Sequence, residues 1–75
     1  MRVLVVEDSP ELAQLVKNGL KLAGFDSDHL ASAIAAREAL RNSRYAALIL
    51  DLGLPDGDGL SILRELRQRK DSVPV

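Results

Sequence analysis

The sequence contains no cysteine and no tryptophan, and only 3% of its 75 residues are aromatic. The absence of cysteine excludes disulfides, thiolate metal sites and cysteine nucleophiles. Because aromatic side chains are so few, the core must be aliphatic. The apolar run Val3–Val6 is too short for a signal peptide or a membrane span, and two acids follow it. We therefore expect a cytoplasmic protein without a membrane partner.

Charge is nearly balanced, with 10 basic and 11 acidic residues and a net charge of −1. This balance gives no electrostatic reason to expect nucleic acid or an anionic membrane as a partner. The composition, 47% hydrophobic and 28% charged, is typical of a globular protein. Residues 1–75 allow a single domain, and a chain this small buries only about 60% of its unfolded surface, so its stability is marginal.

Four segments have the composition of strands. Arg2–Val6 and Ala46–Leu50 are apolar without polar alternation, which is typical of strands buried on both faces of a parallel sheet. Phe25–Leu30 is polar and suits a sheet edge. Val73–Val75 resembles the start of a fourth strand, since proline is tolerated at a strand's beginning.

Helix signals separate these strands. Ser9 as N-cap and Pro10 at the first position begin a helix that Gly24 ends, and further helices are predicted over Ser32–Asn42 and from the Asp58 cap to about Arg69. The predicted apolar faces are Leu12, Leu15, Val16, Gly19 and Leu20; then Ile34, Ala35, Ala39 and Leu40; then Ile62, Leu63 and Leu66. Strands alternating with helices indicate an α/β fold with a parallel sheet.

Acidic residues follow two of the predicted strands: Glu7 and Asp8 after the first, and Asp51 after the central one. The carboxyl ends of neighbouring parallel strands share one edge, where ligands bind in open α/β sheets. Three carboxylates there favour a raised pKa or a bound cation, and Mg²⁺ suits such oxygen ligands best. A carboxylate beside Mg²⁺ can accept a phosphoryl group. Two alternatives remain: Asp51 as a helix cap or turn residue, and Glu7 and Asp8 as surface acids.

The motifs resemble those of the receiver domain of bacterial two-component response regulators. Val3–Asp8 resembles the family's first strand with its acidic pair, and Leu48–Leu60 resembles its phosphoacceptor strand and loop. The form Asp-Leu-Gly-Leu-Pro at residues 51–55 is most similar to the branch that carries a winged-helix DNA-binding domain. The resemblance implies a flavodoxin-like, three-layer parallel fold, in which complete members have five βα units.

The resemblance also implies a role for each residue of the predicted site. Asp51 would be the phosphoacceptor, Asp8 a direct Mg²⁺ ligand, Glu7 a ligand mainly through water, and the Gly53 carbonyl a further ligand. The implied partner is a sensor histidine kinase. The protein would not itself be an enzyme, and it would reach DNA only through an output domain that this chain does not contain.

The chain departs from the family in having only three βα units and the start of strand four. The family's Ser or Thr after strand four, its aromatic switch residue and its Lys after strand five have no counterparts in this sequence. The resemblance therefore implies a truncated receiver that cannot operate the usual switch. The central strand would become an apolar edge, and such edges recruit partners, so we expect a homo-oligomer.

Two alternative functions stand beside this one. The first is a self-associating structural half-domain without signalling activity. The second is a Mg²⁺-dependent phosphohydrolase with an aspartyl nucleophile, but the haloacid-dehalogenase-like family needs a second acid two residues later, where this chain has Gly53.

A few other residues have plain structural interpretations. His29 is expected to be a solvated side chain on an edge strand rather than a general base, and Tyr45 to pack at the entrance of the central strand. The basic cluster is expected to be the solvated end of helix three rather than a surface for DNA or an acidic partner; it comprises Arg64, Arg67, Arg69 and Lys70.

Overall fold

Three parallel strands and three helices alternate along the chain, as predicted. The structure, a computed structural model, describes residues 2–51 and 53–75, so Leu52 of the predicted loop motif lies outside the described residues. The elements are β1 (Arg2–Val6), α1 (Pro10–Leu22), β2 (Asp26–Leu30), α2 (Ala33–Asn42), β3 (Ala47–Leu50), β4 (Gly53–Leu54), β5 (Gly57–Asp58) and α3 (Gly59–Gln68).

The main sheet has the strand order β2-β1-β3, with β1 parallel to both neighbours. In this register Val6 lies opposite Leu30 of β2 and Leu50 of β3. The carboxyl ends of all three strands are therefore level, and the residues that follow β1 and β3 meet at one edge. As predicted, β2 and β3 form the edges of this sheet.

Helices cover both faces of the sheet. Leu4 and Leu48 lie on the face that packs against α2 and α3, in one buried cluster with Ile62 and Leu66. On the opposite face, α1 packs against β1 and β2. The aliphatic core expected from the composition is thus confirmed, and its largest part lies between the sheet and the α2–α3 layer.

The first two helices are rotated relative to their predicted apolar faces. In α1, Ala13 is 1% exposed whereas Leu12 and Leu15 are 52% and 67% exposed. In α2, Ala33 is buried and Ile34 is 66% exposed. Small alanine side chains face the sheet, which lets the helix axes approach it closely, and the larger residues lie beside the contact. The predicted face of α3 is confirmed at Ile62 and Leu66.

The helix ends follow the predicted signals. The Ser9 hydroxyl accepts a hydrogen bond from the Leu12 N–H, and the Asp58 carboxylate accepts one from the Leu60 N–H. Gly24 has a φ of 90°, and the N–H of Phe25 reaches back to the Leu20 carbonyl at 2.9 Å. This pattern is a Schellman motif, in which glycine takes the left-handed conformation at no steric cost.

The segment predicted only as a loop forms a short antiparallel hairpin, in which Gly53 lies opposite Asp58 and Leu54 opposite Gly57. We refer to residues 53–58 as the hairpin. Leu54 is 7% exposed and joins the core. A Cβ atom at Gly57 would lie 3.3 Å from the Cβ of Ala33, so glycine lets the hairpin pack directly against α2.

The segment Val73–Val75, predicted as the start of a fourth strand, lies beside β3 but is not a regular strand in the structure. The segment makes one backbone bond to β3, from the Leu48 N–H to the Pro74 carbonyl at 2.8 Å. Side chains occupy the neighbouring backbone groups: the N–H of Val73 binds the Asp71 carboxylate, and its carbonyl binds the Arg67 guanidinium. Pro74 has no N–H to donate and bonds to β3 through its carbonyl alone.

Tyr45 packs against the core, as expected, and it also makes a polar contact. Its hydroxyl donates to the Asp28 carboxylate at 3.0 Å, and the same carboxylate pairs with Arg2 at 2.6 Å. Burial, with the Asp28 carboxylate as a second cause, raises the pKa of Tyr45. The three residues link the start of β1, the middle of β2 and the segment that precedes β3.

The basic cluster is exposed, as predicted, and two of its members also bind backbone carbonyls of the protein. Arg69 donates to the Leu40 carbonyl at 3.0 Å, which ties α3 to α2, and Arg67 binds two carbonyls of the 71–73 segment. Among the described residues, we find no helix with the length and apolar character needed to cross a bilayer.

Candidate functional site

Three carboxylates meet at the level carboxyl ends of β1 and β3. Glu7 and Asp8 follow β1, Asp51 follows β3, and one oxygen from each lies within 4.8 Å of the others. Asp8 is exposed, while Glu7 and Asp51 are half-buried. The juxtaposition predicted from the parallel topology is therefore present.

The backbone of Glu7 is held by β2. Its N–H donates to the Leu30 carbonyl at 3.0 Å, and its own carbonyl lies 2.7 Å from Nε2 of His29. Because a carbonyl can only accept, Nε2 must carry the proton in this contact. The expectation of a solvated His29 is wrong, since the ring is half-buried and fixes the peptide that joins Glu7 to Asp8. The Glu7 carboxylate also accepts the Ser9 N–H at 3.0 Å.

Asp51 is held at both its backbone and its side chain. Its N–H donates to the Val6 carbonyl at 2.9 Å, which extends the β1–β3 ladder, and its Oδ1 accepts the Gly53 N–H at 3.0 Å. This second bond, from a side chain to the N–H two residues later, is the one expected of a turn aspartate, which was the alternative prediction for Asp51. Asp58, and not Asp51, caps the following helix.

The donor set suits a hard divalent cation. The three groups offer only carboxylate oxygens, which Mg²⁺ prefers, and two oxygens on opposite sides of one Mg²⁺ ion lie about 4.2 Å apart. The spacing of up to 4.8 Å therefore needs a side-chain adjustment of less than about 1 Å to bring the oxygens onto one ion. Gly53 is exposed, and its N–H is bonded to the Asp51 carboxylate. The backbone of Gly53 therefore lies beside the acidic cluster.

Asp56, at the turn of the hairpin, has a structural role that sequence analysis did not identify. Its two carboxylate oxygens accept the Ala33 N–H at 2.7 Å and the Ile34 N–H at 3.0 Å. These two bonds hold the pKa of Asp56 below its usual range. In sequence the residue looks like an ordinary turn aspartate, because its partners lie more than twenty positions away.

We expect the stabilisation by Asp56 to be lost in acid. A carboxyl with a lowered folded pKa stabilises the fold above its unfolded value, about 3.9 for aspartate, and this contribution disappears as the pH falls through the folded pKa. The difference in urea midpoint between wild type and Asp56→Asn should hold down to about pH 5 and shrink as the pH falls below about 4. A difference that persists undiminished at the lowest pH would contradict a role for the ionised carboxylate.

Comparison with known proteins identifies the family. The protein-family model of the response regulator receiver domain matches residues 3–75 of this chain. The chain belongs to this family. Two curated relatives are the transcriptional regulatory proteins BasR and QseB of Escherichia coli, which are 39% and 41% identical over 75 residues. Each alignment covers all of this receiver and 34% of the relative, so the chain spans about a third of their length.

Solved structures confirm the receiver fold, as the resemblance implied. The receiver domain of the Francisella response regulator 1452 superposes with a TM-score of 0.93 at 28% identity, covering 99% of this chain and 61% of that one. TrrA of Thermotoga maritima, solved with Mg²⁺ and BeF, gives 0.87 at 32% identity, with coverages of 92% and 60%. A complex of TrrA with the histidine kinase ThkA gives 0.88 at 30% identity, with coverages of 96% and 62%.

Proposed function

We propose that this receiver accepts a phosphoryl group on Asp51 from a sensor histidine kinase, with Mg²⁺ as cofactor. The observation that carries the proposal is the trio of carboxylates within 4.8 Å of one another at the carboxyl edge of the sheet. Family membership adds that receivers are phosphoacceptor modules and not metabolic enzymes. The relatives are named as transcriptional regulators, which gives no support to the phosphohydrolase alternative.

The residues proposed to hold Mg²⁺ are Asp8 and Asp51 directly, Glu7 through water, and the carbonyl of Gly53. Support comes from the all-oxygen donor set and from the similar receiver TrrA, which was solved with Mg²⁺ and BeF. Bound there, Mg²⁺ would neutralise charge on the oxygens of the incoming phosphoryl group.

Asp51 is proposed as the nucleophile. One of its carboxylate oxygens forms a bond to phosphorus while the phosphorus–nitrogen bond of a phosphohistidine breaks, and the imidazole leaves with the electron pair and takes up a proton. The bond from the Asp51 N–H to Val6 fixes the backbone of Asp51, and the bond from the Gly53 N–H orients its carboxylate, so little rearrangement is needed before attack.

The proposed partners follow from the relatives. The complex of ThkA with TrrA supports a histidine kinase as donor. The named transcriptional regulators support a cytoplasmic protein that acts on DNA through a winged-helix output domain outside this chain. Because residues 1–75 hold no counterpart of the family's switch residues, we propose that these residues alone do not switch.

The direct test is chemical. Incubated with Mg²⁺ and a small-molecule phosphodonor such as acetyl phosphate, the protein should gain the mass of one phosphoryl group. Borohydride reduces an aspartyl phosphate to homoserine with loss of the phosphate, so peptide mapping after reduction should find homoserine at position 51. Chelation of Mg²⁺ should prevent the uptake. Modification of a residue other than Asp51, or phosphoryl uptake that continues after Mg²⁺ is chelated, would contradict the proposed site.

A second candidate function is self-association through the edge of β3. It is favoured by the position of β3 at the edge of the sheet, where the 73–75 segment supplies a single backbone bond. Ile49 on this strand is also 39% exposed. An apolar edge of this kind can pair with a second copy.

We expect light scattering to give the mass of a dimer or larger species. Ile49→Lys should shift the protein towards monomer, because a charge on an edge strand opposes pairing. Leu22→Lys, at a site 91% exposed on α1, is the matched control and should leave the mass unchanged. A wild-type monomer at all concentrations would rule out this candidate. Repeating the measurement with Mg²⁺ and beryllofluoride shows whether association depends on the acidic site.

A further inference from the structure

The hairpin supplies the hydrogen-bond partners of two N–H groups in the first turn of α2. A helix leaves its first N–H groups without partners inside the helix. In α2, the Ser32 hydroxyl satisfies that of Ala35. The N–H groups of Ala33 and Ile34 are satisfied by the Asp56 carboxylate. Asp56 is thus a cap contributed from a distant part of the chain.

The same hairpin contacts the phosphoacceptor at its other end. Gly53, the first residue of the hairpin, donates its N–H to Oδ1 of Asp51 at 3.0 Å. Pairing of Gly53 with Asp58 and of Leu54 with Gly57 makes the hairpin one unit. We therefore expect a shift of its turn to displace the N–H of Gly53.

Two apolar contacts also hold the hairpin, but they do not determine its orientation. Leu54 is buried in the core, which holds one side of the hairpin through an apolar contact without a preferred direction. Gly57 packs against Ala33 without a side chain of its own. The Asp56 bonds supply the direction that these apolar contacts lack, because hydrogen bonds weaken steeply with angle.

We propose that Asp56 is a positioning residue for the acidic site. By binding the first turn of α2, it holds the hairpin so that Gly53 stays against the carboxylate of Asp51, and it thereby raises the affinity of the site for Mg²⁺. The inference rests on the proposed function only in taking Mg²⁺ as the ion. Asp56 itself contacts neither the metal nor the phosphoryl group.

Mg²⁺ titration by calorimetry is the first test. Asp56→Ala removes both acceptor oxygens and should weaken Mg²⁺ binding about tenfold, the lower end of what outer partners of metal ligands contribute. Asp56→Asn keeps one acceptor oxygen, so its affinity for Mg²⁺ should lie between those of wild type and Asp56→Ala. Asp26→Asn, an exposed site on β2, removes the same charge and should change the affinity by less than about twofold. Equal affinities in folded wild type and Asp56→Ala would overturn the proposal.

Amide hydrogen exchange shows whether Asp56 positions the hairpin or only caps α2. The measurement needs no metal. In Asp56→Ala, exchange should become faster at Ala33 and Ile34 and also at Gly53. Faster exchange confined to α2 would overturn the inference, because the hairpin would then hold its place without Asp56. If wild type bound no Mg²⁺, the proposed metal site would fail, while exchange at Gly53 would still decide whether Asp56 positions the hairpin.

Discussion

Asp51→Asn is expected to abolish phosphoryl uptake, with a fall in rate of at least about a hundredfold. An amide is a poor nucleophile, and the substitution also removes one of the three charges proposed to attract Mg²⁺. The local structure should survive, because an asparagine oxygen can still accept the Gly53 N–H and the backbone bond to Val6 is unaffected. The measurement is the mass of the protein after incubation with Mg²⁺ and acetyl phosphate.

The control must show that the loss is chemical and not structural. Asp26→Asn carries the same change in charge on an exposed part of β2 and should be phosphorylated like wild type. Circular dichroism should give the same unfolding midpoint, within a few degrees, for Asp51→Asn and wild type. Phosphoryl uptake that persists in the folded Asp51→Asn protein would mean that another residue is the acceptor, and it would contradict the proposed function.

Leu4→Ala is expected to unfold a large fraction of the protein. Leu4 is 0% exposed at the centre of β1, and truncating such a leucine costs about 2–5 kcal/mol. Small domains have a total stability near the lower end of about 5–15 kcal/mol, so this loss is a large part of the whole. Urea denaturation followed by circular dichroism should show a midpoint moved close to zero denaturant.

Leu22→Ala is the matched control for this prediction. The same atoms are removed, but Leu22 is 91% exposed on α1, so the free energy of unfolding should change by less than about 0.5 kcal/mol. Similar losses in the two variants would mean that burial in the sheet does not determine the stability. Oligomerisation can add to the apparent stability of both, so the two variants should be compared at one protein concentration.

Local patterns were enough to predict the elements and the acidic cluster. Unbroken apolar runs marked β1 and β3, and Ser9, Pro10 and Gly24 marked the ends of α1. The parallel topology then required the carboxyl ends of β1 and β3 to meet. The cluster could be predicted because its members directly follow strands, whose alignment is set by the fold rather than by side-chain detail.

Contacts between distant side chains and backbone groups could not be predicted. Asp56 binds N–H groups 22 and 23 positions away, and His29 binds a carbonyl 22 positions away. Nothing near either residue in the sequence indicates such a partner. The irregular backbone of the 73–75 segment has a similar origin, because Asp71 and Arg67 bind the N–H and the carbonyl of Val73, which composition alone does not show.

The contact of His29 with Glu7 makes the acidic site accessible to spectroscopy. The chain contains a single histidine, so one imidazole signal set is expected in an NMR spectrum of the uniformly labelled protein, with no need for assignment by mutation. Its Nε2 lies 2.7 Å from the Glu7 carbonyl, beside the acidic cluster. That signal is therefore an intrinsic probe for cations or phosphoryl analogues at the sheet edge, in a protein that has no tryptophan to report by fluorescence.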